Sequence, residues 1–179
     1  MRLVRENVWG IGSTFSLVYH AHIMRKTYVI LHNIRSAHNV GSVFRTADGA
    51  GVSKIFLTGY TPTPIDRFGR PNPEIAKTSL GAVDTVPYET SVDAESVIVH
   101  LKKEGVGVVA VEQTPQAIAY KSYVPDGDTV FIFGNEVTGI PEEILAQSDA
   151  HVALPMAGSK ESLNVSVCAG IVLFHFRDL

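Results

Sequence analysis

The stretch that most constrains this chain is Thr-Val-Phe-Ile-Phe-Gly-Asn-Glu-Val-Thr-Gly-Ile-Pro-Glu-Glu, residues 129–143. Val130, Phe131, Ile132 and Phe133 form a short unbroken apolar run, which reads as a strand buried on both faces. The run stops at Gly134, where the missing Cβ lets a ligand or a second backbone come close. Asn135 and Glu136 follow just past the strand's carboxyl end, and Gly139 allows another tight bend. Ile140-Pro141-Glu142-Glu143 reads as a helix start, with Pro at the first helical position and two carboxylates facing the helix dipole. In open α/β sheets ligands bind beyond the carboxyl ends of the strands, so the Gly-Asn-Glu loop is a site candidate. A plain strand-to-helix connection with incidental polar residues is the rival explanation.

The rest of the chain alternates in the same style. A strand is expected over 27–32, then a polar turn over 33–41 holding Asn33, Arg35, Ser36, His38 and Asn39. From Asn39 the pattern turns helical, with Val40, Val43, Phe44 and Ala47 on one side, and ends at Gly49 or Gly51. A second strand over 54–58 completes a right-handed βαβ unit. The Pro-rich segment 59–73 is long enough to be functional or mobile. After it come a weak strand over 85–88 and a helix capped by Ser91 or Asp93, running to about Lys103 and closed by Gly105. Strands over 106–111 and 150–154 flank the central one in sequence. Residues 159–176 fit both the strand and the helix period. Their length favours a helix, apolar nearly all round and buried against the core or a second subunit. Together these elements predict an α/β fold with a mainly parallel sheet flanked by helices.

A length of 179 residues suits one domain. The formal charge of −3 excludes a broadly basic nucleic-acid coat but leaves room for a local patch. The lone Cys168 has no disulfide partner in the chain, which points to a reducing, cytoplasmic setting. His20 and His22 alone approach metal-ligand spacing, so no metal is expected. Residues 9–23 are fairly apolar but interrupted by Gly10, Gly12, His20 and His22, too short to span a bilayer. Met24 offers an alternative start. Residues 1–23 read as an appendage whose order the pattern does not set, followed by a domain over 24–179.

Three separated stretches together resemble the SPOUT superfamily of RNA methyltransferases, and within it the SpoU/TrmH ribose 2′-O-methyltransferases. They are Asn39-Val-Gly-Ser-Val-Phe-Arg-Thr-Ala-Asp-Gly-Ala-Gly, then Phe133-Gly-Asn-Glu-Val-Thr-Gly-Ile-Pro, and finally Leu154-Pro-Met with Ser162-Leu-Asn-Val-Ser-Val. The resemblance implies a C-terminal trefoil knot, S-adenosyl-L-methionine held in it, and a homodimer with the active site near the subunit interface. The implied reaction is methyl transfer to a ribose 2′-hydroxyl of tRNA or rRNA. A non-catalytic RNA-binding member of the same fold is the alternative.

The resemblance also assigns residues. Arg45 matches the motif arginine. Arginine is a poor base by its reference pKa, so its role is to orient the target phosphate or hydroxyl; a salt bridge to Asp48 is the rival. Asn39 matches the motif asparagine, with a simple helix N-cap as the rival. Glu136 is expected to position Arg45 or Asn164, or to anchor its loop on backbone N–H groups. Ser162 and Asn164 complete the catalytic set, with a simple cap of the last helix as the rival reading of Ser162. Val111, Gly134, Asn135, Leu154, Met156, Ser162 and Leu163 are the expected cofactor contacts, a mainly apolar slot for a purine; ordinary core explains the apolar ones as well. RNA phosphates fall to Arg35, Arg45, Arg67 and Arg70, with His38 and Lys77 beside them, unless Arg67 and Arg70 are only solvated loop. Many family members carry an RNA-binding extension. The leader over 1–23 is short and weakly basic, so selectivity is expected from the core, its dimer or a partner protein.

Overall fold

In the computed structural model, which describes residues 25–177, the apolar runs of the sequence become the strands of one sheet. The first half contains β1 (Thr27–His32), α1 (Ala37–Ala50), β2 (Lys54–Thr58), α2 (Pro73–Ser79), α3 (Ala82–Thr85), β3 (Tyr88–Ser91) and α4 (Ala94–Lys103). The second contains β4 (Gly107–Val111), β5 (Ile118–Ala119), a 3-10 turn (Tyr120–Ser122), β6 (Thr129–Phe133), α5 (Glu142–Leu145), β7 (Ala150–Ala153) and α6 (Val165–Arg177). Strand order is β3-β2-β1-β6-β4-β7-β5 and every neighbouring pair is parallel. The α/β expectation therefore holds for the described residues.

All five residues of β6 are buried, between β1 on one side and β4 on the other. Side chains alternate across a strand, so Phe131 and Phe133 join a core layer with Val29, Phe44, Leu173 and Phe176. Val130 and Ile132 join the opposite layer with Ile98, Leu101 and Ile144. Phe131 stacks on Phe176 at 4.8 Å between centroids, which ties α6 to the middle of the sheet. The chain runs outward from β1 to β3 on one side and starts again at β4 on the other. Such a reversal opens a crevice at the carboxyl ends of the strands.

Several local expectations are corrected. Helix α1 begins at Ala37, because the Ser36 hydroxyl accepts from the Asn39 N–H and caps it. Residues 82–85 form the short helix α3, and pairing with β2 starts only at Tyr88. Pro87 has no N–H to give the ladder, which moves the strand past the expected 85–88. Pro141 occupies the cap position of α5, a helix of one turn, rather than its first helical residue. Helix α6 begins at Val165, later than 159. It is not buried all round: Val165, Ala169, Val172, Leu173 and Phe176 are buried, while Val167 and Phe174 are 50% and 43% exposed.

The Pro-rich segment is ordered rather than a loose loop. Ile65 and Pro71 pair as an antiparallel bridge, and the Asn72 N–H donates to the Pro64 carbonyl at 2.8 Å. Asp66 accepts from the N–H groups of Phe68 and Arg70 at 2.8 and 2.9 Å, which folds the tip into a tight hairpin. Asn72 then caps α2 with Pro73 behind it, a signal present in the sequence and not used. The appendage expected over 1–23, with His20 and His22, lies outside the described residues. Among the described residues no helix is long and apolar enough to cross a membrane, and no cluster suits a metal ion.

Candidate active site

Because the strands are parallel, the segments after β1, β2, β4, β6 and β7 all emerge on one edge of the sheet. The loop after β6 is closed on itself: the N–H groups of Asn135 and Gly139 each donate to the other's carbonyl, at 3.2 and 3.0 Å. A Cβ on Gly134 would stand 2.6 Å from the Gly139 carbonyl carbon and oxygen. Of the two reasons for a glycine there, the second backbone is the one the structure displays.

Asn135 is buried in this loop and its side chain is fully used within the protein. It donates to the Asn33 carbonyl at 2.9 Å and to the Tyr60 hydroxyl at 2.7 Å, and it accepts from the N–H groups of Val137 and Thr138. Below it, the Asn33 side-chain oxygen accepts from the Tyr60 N–H, which turns the amide so that its NH2 donates to His32 Nε2 at 2.9 Å. His32 then carries its proton on Nδ1, facing Thr58 Oγ1 at 2.9 Å. Burial lowers the His32 pKa against the pull of Glu143 and Glu95, which keeps this support uncharged at neutral pH. On the other side Glu112 accepts from the N–H groups of Ile140 and Gln113, both at 2.9 Å. The loop is clamped from two strands at once.

The three sequence motifs meet here. Glu136 accepts from the Arg35 N–H at 3.0 Å, the Ser36 N–H at 3.4 Å and the Asn39 side-chain amide at 3.0 Å. Asn39 uses its oxygen to accept from the Asn164 amide at 3.1 Å, and Asn164 in turn accepts from the Ser166 N–H at 2.9 Å. Residues 97 and 125 positions apart are thereby joined. The carboxylate can only accept, so it fixes which end of each amide faces the next and gives the relay one direction. Burial works against the Glu136 charge, but the bonds from Arg35, Asn39 and Ser36 outweigh it and hold its pKa below the usual carboxylate value.

These bonds change several assignments. Glu136 accepts backbone N–H groups, as one of its expected roles required, but it holds Asn39 and the start of α1 rather than Arg45. Asn39 is not the cap of α1, since Ser36 is. Asn164, rather than Ser162, caps α6. Arg45 is exposed on α1, almost two turns past Asn39, and no described residue forms a hydrogen bond or ion pair with it. The rival salt bridge to Asp48 is absent among the described residues; Asp48 accepts from Thr85 Oγ1 at 2.6 Å instead.

Beside the relay lies a cavity of about 430 Å³. All seven expected contacts line it: Val111, Gly134, Asn135, Leu154, Met156, Ser162 and Leu163. So do Glu136 and Asn164, whereas Arg35, Asn39, Arg45, Arg67 and Arg70 do not. Among the lining residues that the sequence reading did not assign to the site, Glu112, Gln113 and Cys168 carry polar or ionisable groups. Glu112 and Gln113 directly follow the apolar run of β4, and the rule applied to the Gly-Asn-Glu loop would have found them. The Gln113 side-chain amide donates to the Glu161 carbonyl, tying β4 to the third motif. Cys168 lies one helical turn after Asn164 on the same face. Burial, and then the charge of Glu112, push its thiol up to about 11.

The folded-state pKa of Glu136 lies below that of an unfolded chain. Its anchoring is therefore present above about pH 4.3 and is lost as pH falls through the lower folded-state value. Denaturant unfolding of the parent and of Glu136→Gln should show a stability gap at neutral pH that closes as the solution is acidified below that point. A gap of constant size down the acid limb would mean that the carboxylate charge anchors nothing.

The model of the SpoU rRNA Methylase family matches residues 26–174. The chain is 33% identical over 149 residues to the 23S rRNA (guanosine-2′-O-)-methyltransferase RlmB of Neisseria meningitidis serogroup B, covering 83% of this chain and 57% of that protein. It is 29% identical over 147 residues to the tRNA (guanosine(18)-2′-O)-methyltransferase of Escherichia coli K12, covering 82% and 61%. An AdoMet-bound rRNA methyltransferase from Sinorhizobium meliloti superposes with a TM-score of 0.78 at 32% identity, covering 86% of this chain and 56% of that one. The chain thus spans little more than half the length of relatives such as these.

Proposed function

The chain belongs to the SpoU rRNA methylase family, and from that premise we propose that it is an S-adenosylmethionine-dependent methyltransferase acting on a ribose 2′-hydroxyl of tRNA or rRNA. One observation carries this: the Glu136–Asn39–Asn164 relay gathers three distant motifs at the mouth of one cavity. Relatives named for rRNA and for tRNA support both substrate classes.

The cavity suits the cofactor in size and lining. About 430 Å³ lies in the range of small-molecule sites, and Val111, Leu154 and Leu163 offer apolar walls for a purine beside the polar Ser162 and Gln113. Cys168 in the wall stays a protonated thiol near neutral pH, so it does not compete as a nucleophile for an electrophilic methyl group. When bound, S-adenosylmethionine supplies that methyl on a sulfonium. The chain's own part is positional. Gly134, Leu154, Met156, Ser162 and Leu163 hold the donor, Asn135 shapes the loop, and Arg45 orients the target hydroxyl or its neighbouring phosphate. Arg35, Arg45, Arg67 and Arg70 take phosphates of the RNA.

The proposal includes a homodimer with the active site near its interface. It is supported by exposed Val167 and Phe174 on α6, the latter packed beside Gly49 of α1, on whose exposed surface Arg45 lies. It also includes the family's C-terminal knot. That is supported by the way residues 154–164 return past the β6 loop to bring Asn164 onto Asn39.

Incubation with labelled S-adenosylmethionine and bulk RNA, followed by digestion to nucleosides, tests the assignment. Label is expected in 2′-O-methylated nucleosides. Label confined to a base, or no cofactor binding, would overturn it. Calorimetry separates the non-catalytic alternative, which requires strong RNA binding with no cofactor affinity.

A further inference from the structure

The hairpin at residues 64–72 presents an exposed aromatic ring at its tip. Phe68 is 66% exposed at its tip, and the guanidinium carbons of Arg67 and Arg70 lie over its ring at 4.7 and 5.0 Å from the centroid. Two cations on one exposed ring form a mixed stacking and charge surface. Hydrogen bonds to one carboxylate define the conformation of the tip. The Asp66 carboxylate binds two tip N–H groups and accepts from Arg70 Nε at 2.8 Å, and these bonds hold its pKa below the usual value. Asp66 neutralises one of the two arginines, so the tip keeps a net positive charge.

The segment that leads into the hairpin starts beside the cavity. It leaves the carboxyl end of β2, two strands and roughly 10 Å from β6 in the sheet. In the lead-in to the hairpin, four residues before it, Tyr60 accepts from Asn135, which lines the cavity. Unpaired nucleotides are held by this combination of groups: bases stack on aromatic rings and guanidinium planes while cations take the phosphate.

We propose that Phe68, with Arg67 and Arg70, is a stacking platform for an unpaired base of the RNA substrate, flanking the nucleotide whose ribose is presented to the cavity. The inference rests on the RNA-methyltransferase reading and adds an element of RNA recognition outside the cavity. It also makes a single-stranded or looped target the preferred substrate over a continuous duplex, whose bases are not available to stack.

Phe68→Ala removes the ring and leaves every hairpin hydrogen bond in place, so the fold should survive; Phe68→Tyr and Phe68→Trp restore a ring. The measurement is anisotropy of a labelled single-stranded RNA and of bulk tRNA, with no cofactor present, so it does not depend on turnover. Phe68→Ala should weaken binding about 5- to 150-fold, the range for loss of one base–aromatic stack, and both aromatic variants should recover it. Arg67→Ala should lower affinity and reduce the salt dependence by about one phosphate contact. Unchanged RNA affinity in Phe68→Ala, equal loss in Phe68→Ala and Phe68→Tyr, or a change in oligomeric state with RNA affinity intact would each overturn the platform. The last result would make the tip a protein contact. A parent protein that binds RNA through Phe68 but transfers no methyl would leave the platform standing and remove the enzymatic assignment.

Discussion

A Gly134→Val variant should bind no measurable S-adenosylmethionine and should unfold at lower denaturant than the parent. The first methyl-sized atom placed on residue 134 lands 2.6 Å from the Gly139 carbonyl and from Ile140 Cγ1, far inside contact distance. The obstruction is mostly backbone, and that backbone has little freedom to retreat. Asn135 and Gly139 exchange two main-chain hydrogen bonds, and Glu112 grips Ile140 from β4. Relief has to come from opening the loop that forms one wall of the cavity. Overpacking of this kind costs about 1–3 kcal/mol. Calorimetric titration should show at least a hundredfold loss of affinity in protein that remains folded by circular dichroism. A normal titration would detach this loop from the cofactor.

Arg45→Ala should separate chemistry from binding. The guanidinium touches no described residue through a hydrogen bond or ion pair and lies outside the cavity lining. Its loss should change stability by less than about 0.5 kcal/mol, as at other exposed sites, and cofactor affinity by no more than a few-fold. Transfer should fall about 100- to 1,000-fold, the usual consequence of deleting one positioned donor that acts on the reacting group. Arg45→Lys should rescue little, because an ammonium cannot reproduce a planar two-pronged contact. Parallel loss of cofactor affinity and rate would identify the arginine as structural.

Much of the sheet was legible because burial writes itself into apolar runs: β1 and β2 fall on the expected residues and β6 only one residue beyond its apolar run. The weaker signals failed where a local bond decided between neighbouring choices. Ser36 and Asn39 are both good caps, and only the bond that Asn39 donates to Glu136, 97 residues away, commits Asn39 to another task. The cavity is readable from strand ends: nine of its lining residues follow from that rule or from the motifs, and Glu112 and Gln113 satisfy the same rule. The support under Asn135 was not readable. His32, Asn33, Thr58 and Tyr60 hydrogen-bond in a set that exists only after β1, β2 and β6 are adjacent. Arg45 shows the opposite limit, since motif membership names it and no described residue supplies a partner to explain it.

The placement of β6 has a consequence for biosynthesis. Thr27 pairs with Thr129, so the innermost strand arrives about a hundred residues after the neighbour it must join. At roughly 5–20 residues per second, translation leaves one edge of β1 unpaired for about 5–20 s. A nascent chain in that interval has long-range contacts still to make and a naked strand edge to shield, which makes it a natural client for chaperones at the ribosome.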